Sequence, residues 1–163
     1  MSNINKTNFE KIVEFQKAIG LDYNETHQKD CFDNKKLIKL RLDLIQEEFD
    51  ELKEAIKERD FTEVRDALGD ILYVVYGAAA SFGIHSDKDY DIIHKSNMSK
   101  LCISEEEAKK TVEWYKEQYK NKKSPYDSPD FRKSNDNKFW VVYNKSTGKV
   151  LKSINYTPVN FNK

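Results

Sequence analysis

The segment that most restricts the fold is 71–82, ILYVVYGAAASF, which is apolar on nearly every side. It continues a helical pattern that opens at Asp60 and Glu63, spaced as a D-x-x-E capping box, and stops at Gly83. A helix that is apolar all round has to be covered all round, which places it at the centre of a bundle. The run is too short to span a bilayer and is interrupted by Gly77 and Ser81.

The remaining periodicity supplies the partners. Phe9, Ile12, Val13 and Ile19 mark a helix over 8–19 that ends at Gly20. A second helix spans about 35–59, with Ile45, Phe49, Leu52 and Ile56 as its core-facing stripe and Arg41 falling within the same face. A short helix over about 87–101 follows. A fifth starts from the SEEE box at 104–107 and carries Val112, Tyr115 and Tyr119, until SPYDSPDF breaks it. KFWVVYNKSTGKVLKS, 138–153, reads as two short strands around a turn at Gly148. The expected fold is an all-α helical bundle of four to five helices with a small C-terminal β-hairpin. Its core is 1–103, and 104–163 is an extension docking on that core.

Lys+Arg and Asp+Glu both number 28, so the chain carries no bulk basic surface for nucleic acid. Cys31 and Cys102 are isolated, and the start, MSNINKTNFEKIVEF, lacks the apolar core of a signal peptide. These features predict a cytoplasmic protein without a nucleic-acid or membrane partner.

The chemistry lies in the acids. On a helical wheel Glu48 sits beside the stripe of the second helix, Glu51 next to it, and Glu47 farther round the same flank. On the third helix Glu63, Asp66 and Asp70 share one side. If the two helices pack antiparallel, these faces meet. Two carboxylates about 4 Å apart repel by roughly 4 kcal/mol at an effective dielectric near 20, so either their pKa values rise or a cation neutralises them. No histidine has E-x-x-H spacing, and an all-oxygen set points to Mg²⁺ or Mn²⁺. The plainer reading is a solvated helix face on which Lys53, Lys57 and Arg65 pair the acids. Plain readings also cover other residues. Glu63 serves as a cap, Tyr73, Tyr76, Trp114 and Trp140 pack, and His85 and His94 lie in loops or at the surface.

EEFDEL followed by ALGDILYVVYG resembles the all-α NTP pyrophosphatase superfamily of MazG-like enzymes, whose pattern is E-E-x-x-E, a spacer, then E-x-x-D. EFQKAIG at 14–20, HKSNMSKL at 94–101 and GKVLKSINYTPVNF at 148–161 are similar to further segments of its dUTPase branch, with Gln16 where that branch has histidine. The resemblance covers about 9–101 and 148–161. It departs from the family at Ala67, which stands where the first acid of E-x-x-D belongs, and at the unmatched stretch 104–147. It implies Mg²⁺-dependent hydrolysis of a nucleoside triphosphate, with dUTP or dCTP as substrate, to the monophosphate and pyrophosphate. It also implies a homodimer or homotetramer. Carried over by position, Glu48, Glu51 and Asp70 are metal ligands, with Asp66 or Glu63 replacing the missing acid. Glu47 is a further ligand or the base for the attacking water, so Glu47 and Glu48 form the catalytic pair. Asn97 and Lys100 contact the substrate. The alternatives are a phosphoribosyl-ATP pyrophosphatase-like enzyme and a non-catalytic dimerisation or nucleotide-sensing module.

Overall fold

The computed structural model describes residues 6–21 and 23–161. The opening residues 1–5, part of the stretch whose composition argued against a signal peptide, lie outside them. The chain divides into two compact units, Met1–Asp89 and Tyr90–Lys163.

The first unit is helical. α1, Asn8–Ile19, starts with a reciprocal capping box. In it the Glu10 amide donates to Thr7 Oγ1 at 3.2 Å and the Thr7 amide donates to Glu10 Oε2 at 2.8 Å. α2, Lys35–Glu58, and α3, Phe61–Phe82, are joined by Arg59 and Asp60 and form the largest helix–helix contact. Asp60 caps α3 by accepting from the Thr62 and Glu63 amides, without the return bond from Glu63 that a full box would add. α3 also packs on α1, where Phe9 and Ile12 meet Ala80, with Val13, Tyr23 and Tyr76 around them. Residues 23–34, which include a 3₁₀ turn at Lys29–Asp33, are tied to the end of α3. There the Asn24 side chain and the Cys31 thiol both donate to the Ser81 carbonyl, at 2.6 and 3.0 Å. Gly83 is obligatory at that end. Its φ is +68°, and a Cβ would run into the Thr26 carbonyl.

Burial corrects one expectation. The α2 stripe is not a closed core face, since Phe49 and Ile56 are exposed. α3 is not covered all round either, for Leu68, Leu72, Tyr73 and Val75 are exposed as well. Only α1 and α2 pack extensively on α3, too few helices to cover every side.

α4, Ser86–Met98, carries the boundary between the units. In the second unit α5, Glu105–Lys120, packs on an antiparallel pair, β1 Pro129–Lys133 and β2 Trp140–Asn144, with Phe131 opposite Val142. Cys102, Ala108, Val112, Tyr115, Val142 and Leu151 form its core. The expected turn at Gly148 exists, but beyond it lies only a bridge between Tyr143 and Val150. The full strand partner of β2 comes from SPDF, inside the stretch read as a breaker. Pro129 is tolerated there because it is the first residue of a strand.

Candidate active site

α2 supplies Glu47, Glu48 and Glu51, and α3 supplies Asp66 and Asp70. Their side chains differ in setting. Glu48 is partly buried and the other four are exposed, Asp70 included, although its place beside the apolar run suggested burial. The Glu48 carboxyl is pushed above the usual carboxylate range, first by desolvation and then by the charges of Glu51, Asp70, Glu47 and Asp66. Four acids from two helices therefore bear on the Glu48 carboxyl.

The plainer reading of these acids requires lysine partners, and the lysines are engaged elsewhere. Lys53 pairs with Asp50 at 2.7 Å and Lys57 with Glu54 at 2.6 Å, on the outer flank of α2. Among the described residues, no ion pair includes Glu47, Glu48, Glu51, Asp66 or Asp70. Glu48 Oε2 is sealed from solvent and has no hydrogen-bond donor. A buried, unpaired carboxylate oxygen is costly unless a cation or a proton satisfies it.

The donor set fits a hard divalent cation, being oxygen-only, anionic and short of positive partners. Among the described residues no group of three or more His, Cys, Asp and Glu side chains stands close enough to enclose a metal. Mg²⁺ keeps several waters and is held by one or two carboxylates together with substrate phosphates.

Seven residues before Glu48, about 10 Å along α2, the same face carries Arg41, whose polar partners sequence reasoning did not identify. Arg41 is 5% exposed and its Nε donates to Ser81 Oγ at 2.8 Å, while Nη2 has no partner. Gln16 is 2% exposed. Its Nε2 donates to the Gly77 carbonyl at 3.2 Å, which leaves Oε1 unpaired. A Cβ on Gly77 would lie 3.3 Å from both Arg41 Nη1 and Gln16 Nε2, so glycine makes room for the two side chains. The signal available in the sequence was an arginine within an otherwise apolar face.

Asn97 and Lys100 belong to the second unit. Lys100 Nζ donates to Asn97 Oδ1 at 2.6 Å, so the two predicted substrate contacts stand together. Ser96 and Ser99 hold the C-terminal segment. Ser96 Oγ donates to the Thr157 carbonyl at 2.9 Å, and the Thr157 amide donates to Ser99 Oγ at 3.0 Å.

A helical unit with acids from two neighbouring helices, without ion-pair partners among the described residues, suits a hydrolase that handles phosphate. The phosphoribosyl-ATP pyrophosphohydrolase family model matches residues 12–97, which contain all five acids, and the chain belongs to this family within the MazG-like all-α NTP pyrophosphohydrolase superfamily. It is therefore a nucleotide pyrophosphohydrolase, acting on phosphoric anhydrides. A relative from Acanthamoeba polyphaga mimivirus, "Uncharacterized protein L479", is 29% identical over an alignment of 241 residues that covers 95% of this chain and 94% of the relative. Among the described residues no single helix is long and apolar enough to cross a membrane.

Proposed function

We propose that the α2–α3 carboxylates bind Mg²⁺ and that the protein hydrolyses a deoxynucleoside triphosphate, dUTP or dCTP, to the monophosphate and pyrophosphate. The observation that carries this reading is the set of five acids without a lysine partner, centred on the unpaired Oε2 of Glu48. Glu48, Glu51, Asp70 and Asp66 would hold the cation, which when bound neutralises phosphate charge and acidifies a water. Glu47 would be a further ligand or take the proton from the attacking water. Asn97 and Lys100 contact the substrate, Lys100 through phosphate oxygens. The choice of pyrimidine rests on resemblance to the dUTPase branch. Phosphoribosyl-ATP is the second candidate, favoured by the description of the matching family.

The uncovered face supports self-association. Leu42, Phe61 and Leu72 on the α2–α3 pair are 62%, 76% and 60% exposed. Large exposed apolar side chains on a packed helix pair suit an interface, and we assign a second copy of the chain as its occupant, giving a dimer or tetramer. The compartment that suits this activity is the cytoplasm.

Pyrophosphate release is to be measured over dUTP, dCTP, the other nucleotides and phosphoribosyl-ATP, with Mg²⁺ and with EDTA. Turnover that requires Mg²⁺ and favours dUTP or dCTP is expected. Preference for phosphoribosyl-ATP selects the second candidate, and turnover undiminished in EDTA refutes the metal reading.

A further inference from the structure

The neutral balance of the chain is the sum of two opposite ones. Residues 1–89 hold 13 Lys+Arg against 19 Asp+Glu, and residues 90–163 hold 15 against 9. Three of the cations of the second unit stand together where α5 ends. Along the body of α5 the lysines are paired, Lys109 with Glu105 at 2.6 Å, Lys110 with Glu106 at 2.6 Å and Lys116 with Glu113 at 2.7 Å. Beyond them Lys120, Lys122 and Lys123 are exposed and, among the described residues, take part in no ion pair.

These three lysines line an open depression of about 640 Å³ together with Tyr119, Ser124 and Pro125. Tyr119 is 47% exposed. The backbone is fixed by a Schellman-type close, in which the Lys122 amide donates to the Tyr119 carbonyl at 2.9 Å and the Lys123 amide to the Gln118 carbonyl at 2.8 Å. Lys122 has φ +57° at the position where such a close favours glycine, as Gly20 and Gly83 do after α1 and α3. A cation at the last turn of a helix has a structural explanation in the helix dipole. That explanation covers Lys120; Lys122 holds a left-handed position as Arg59 does after α2, and Lys123 lies beyond the last turn.

We infer that the end of α5 is a contact site for single-stranded nucleic acid, with the three ammonium groups on successive phosphates and the Tyr119 ring stacked on a base. An accessible ring beside unpaired cations is the combination that tracks an unpaired strand without reading its sequence. A membrane surface fits less well, because the depression presents no aliphatic anchors. The site lies outside residues 12–97 and uses none of the residues assigned to hydrolysis.

The test uses the full chain in EDTA, which keeps any metal–nucleotide site silent, and follows the anisotropy of labelled oligo-dT of about 20 nucleotides across a salt series. Binding with a log–log salt slope near ~−2 is expected, the value for about three phosphate contacts on a single strand. Lys120→Gln, Lys122→Gly and Lys123→Gln combined should weaken binding at least about tenfold at low salt and flatten the slope. Pyrophosphate release should be unchanged by the three substitutions. Lys122→Gly relieves the left-handed position, so retained circular dichroism and Tm are expected. Tyr119→Ala should weaken binding to oligo-dT and leave inorganic polyphosphate, the competing anion, unaffected. Absence of salt-dependent binding, full binding by the triple variant, or insensitivity of oligo-dT to Tyr119→Ala would each overturn the assignment.

Discussion

The two units treat buried polar groups in opposite ways. In the second unit they are satisfied. Glu107 accepts from the Ile103 amide at 3.0 Å and from the Ser153 hydroxyl, and Thr111 Oγ1 donates to the Glu107 carbonyl at 2.8 Å. Asn144 accepts from the Ser128 amide at 2.9 Å and donates to Asp127, Ser146 and Thr147. In the first unit, Gln16 Oε1, Arg41 Nη2 and Glu48 Oε2 are all buried without a partner, beside an uncovered apolar face. Since buried polar groups are normally paired, the contrast sets a closed scaffold against a unit with polar atoms left open. A cation, a nucleotide and a second subunit are the agents proposed for it.

The largest expected effect tests the unfinished side. Glu48→Gln and Asp70→Asn should each lower pyrophosphate release by more than about 10²-fold, the scale of losing one charge-stabilising group at a reacting phosphate. Wild-type turnover in either would remove that residue from the ligand set. The same Glu48→Gln change should stabilise the metal-free protein at neutral pH. The sign follows from the raised pKa. Ionising Glu48 is harder in the folded state than in the unfolded one, so metal-free stability falls as pH rises from the ordinary carboxylate range through the raised value. The substitution abolishes that loss, and denaturant melts at acid and neutral pH in EDTA check it.

Glu107→Ala should do the opposite. It strands the Ile103 amide and the Ser153 hydroxyl inside a closed core, and about 2–4 kcal/mol of stability should be lost without a change in the nucleotide preferred. Equal stability losses from Glu48→Gln and Glu107→Ala would dissolve the distinction between the units. Leu72→Glu probes the uncovered face, and sedimentation should show the assembly reduced to single chains. Gly77→Ala is smaller again, about 1–2 kcal/mol, because the new methyl crowds Arg41 and Gln16 without removing a bond.

Local patterns in the sequence transmitted well. The boundaries of α1 and α3 follow from their caps, Thr7 with Gly20 and Asp60 with Gly83, because capping is a contact between neighbours in sequence. What periodicity could not tell is which copy of the chain covers an apolar face, so Phe49 and Leu72 read as core and are exposed. β1 was illegible for a related reason. Pro-Asp-Phe has turn chemistry, and it becomes a strand because Phe131 faces Val142 and Trp140 over α5, contacts set by the tertiary fold. The acids were legible as a group. Their freedom from lysine was not, since Lys53 stands within three residues of both Asp50 and Glu51 and only the structure shows its partner.

The finest prediction concerns the place of Ala67. Ala67 is 4% exposed, so a carboxylate there would point into the contact between helices, whereas Asp66 and Glu63 are exposed. Of these two, Asp66 acts on the Glu48 carboxyl and Glu63 is not among the charges that do. Glu63 also stands in the first turn of α3, where Asp60 accepts its amide. Asp66→Asn should therefore weaken Mg²⁺-dependent thermal stabilisation and turnover together. Glu63→Gln should change neither beyond a few tenths of a kcal/mol, the loss of one charge near a helix N-terminus. The reverse ranking would move the missing ligand a turn back along α3 and leave Asp66 as one more solvated acid.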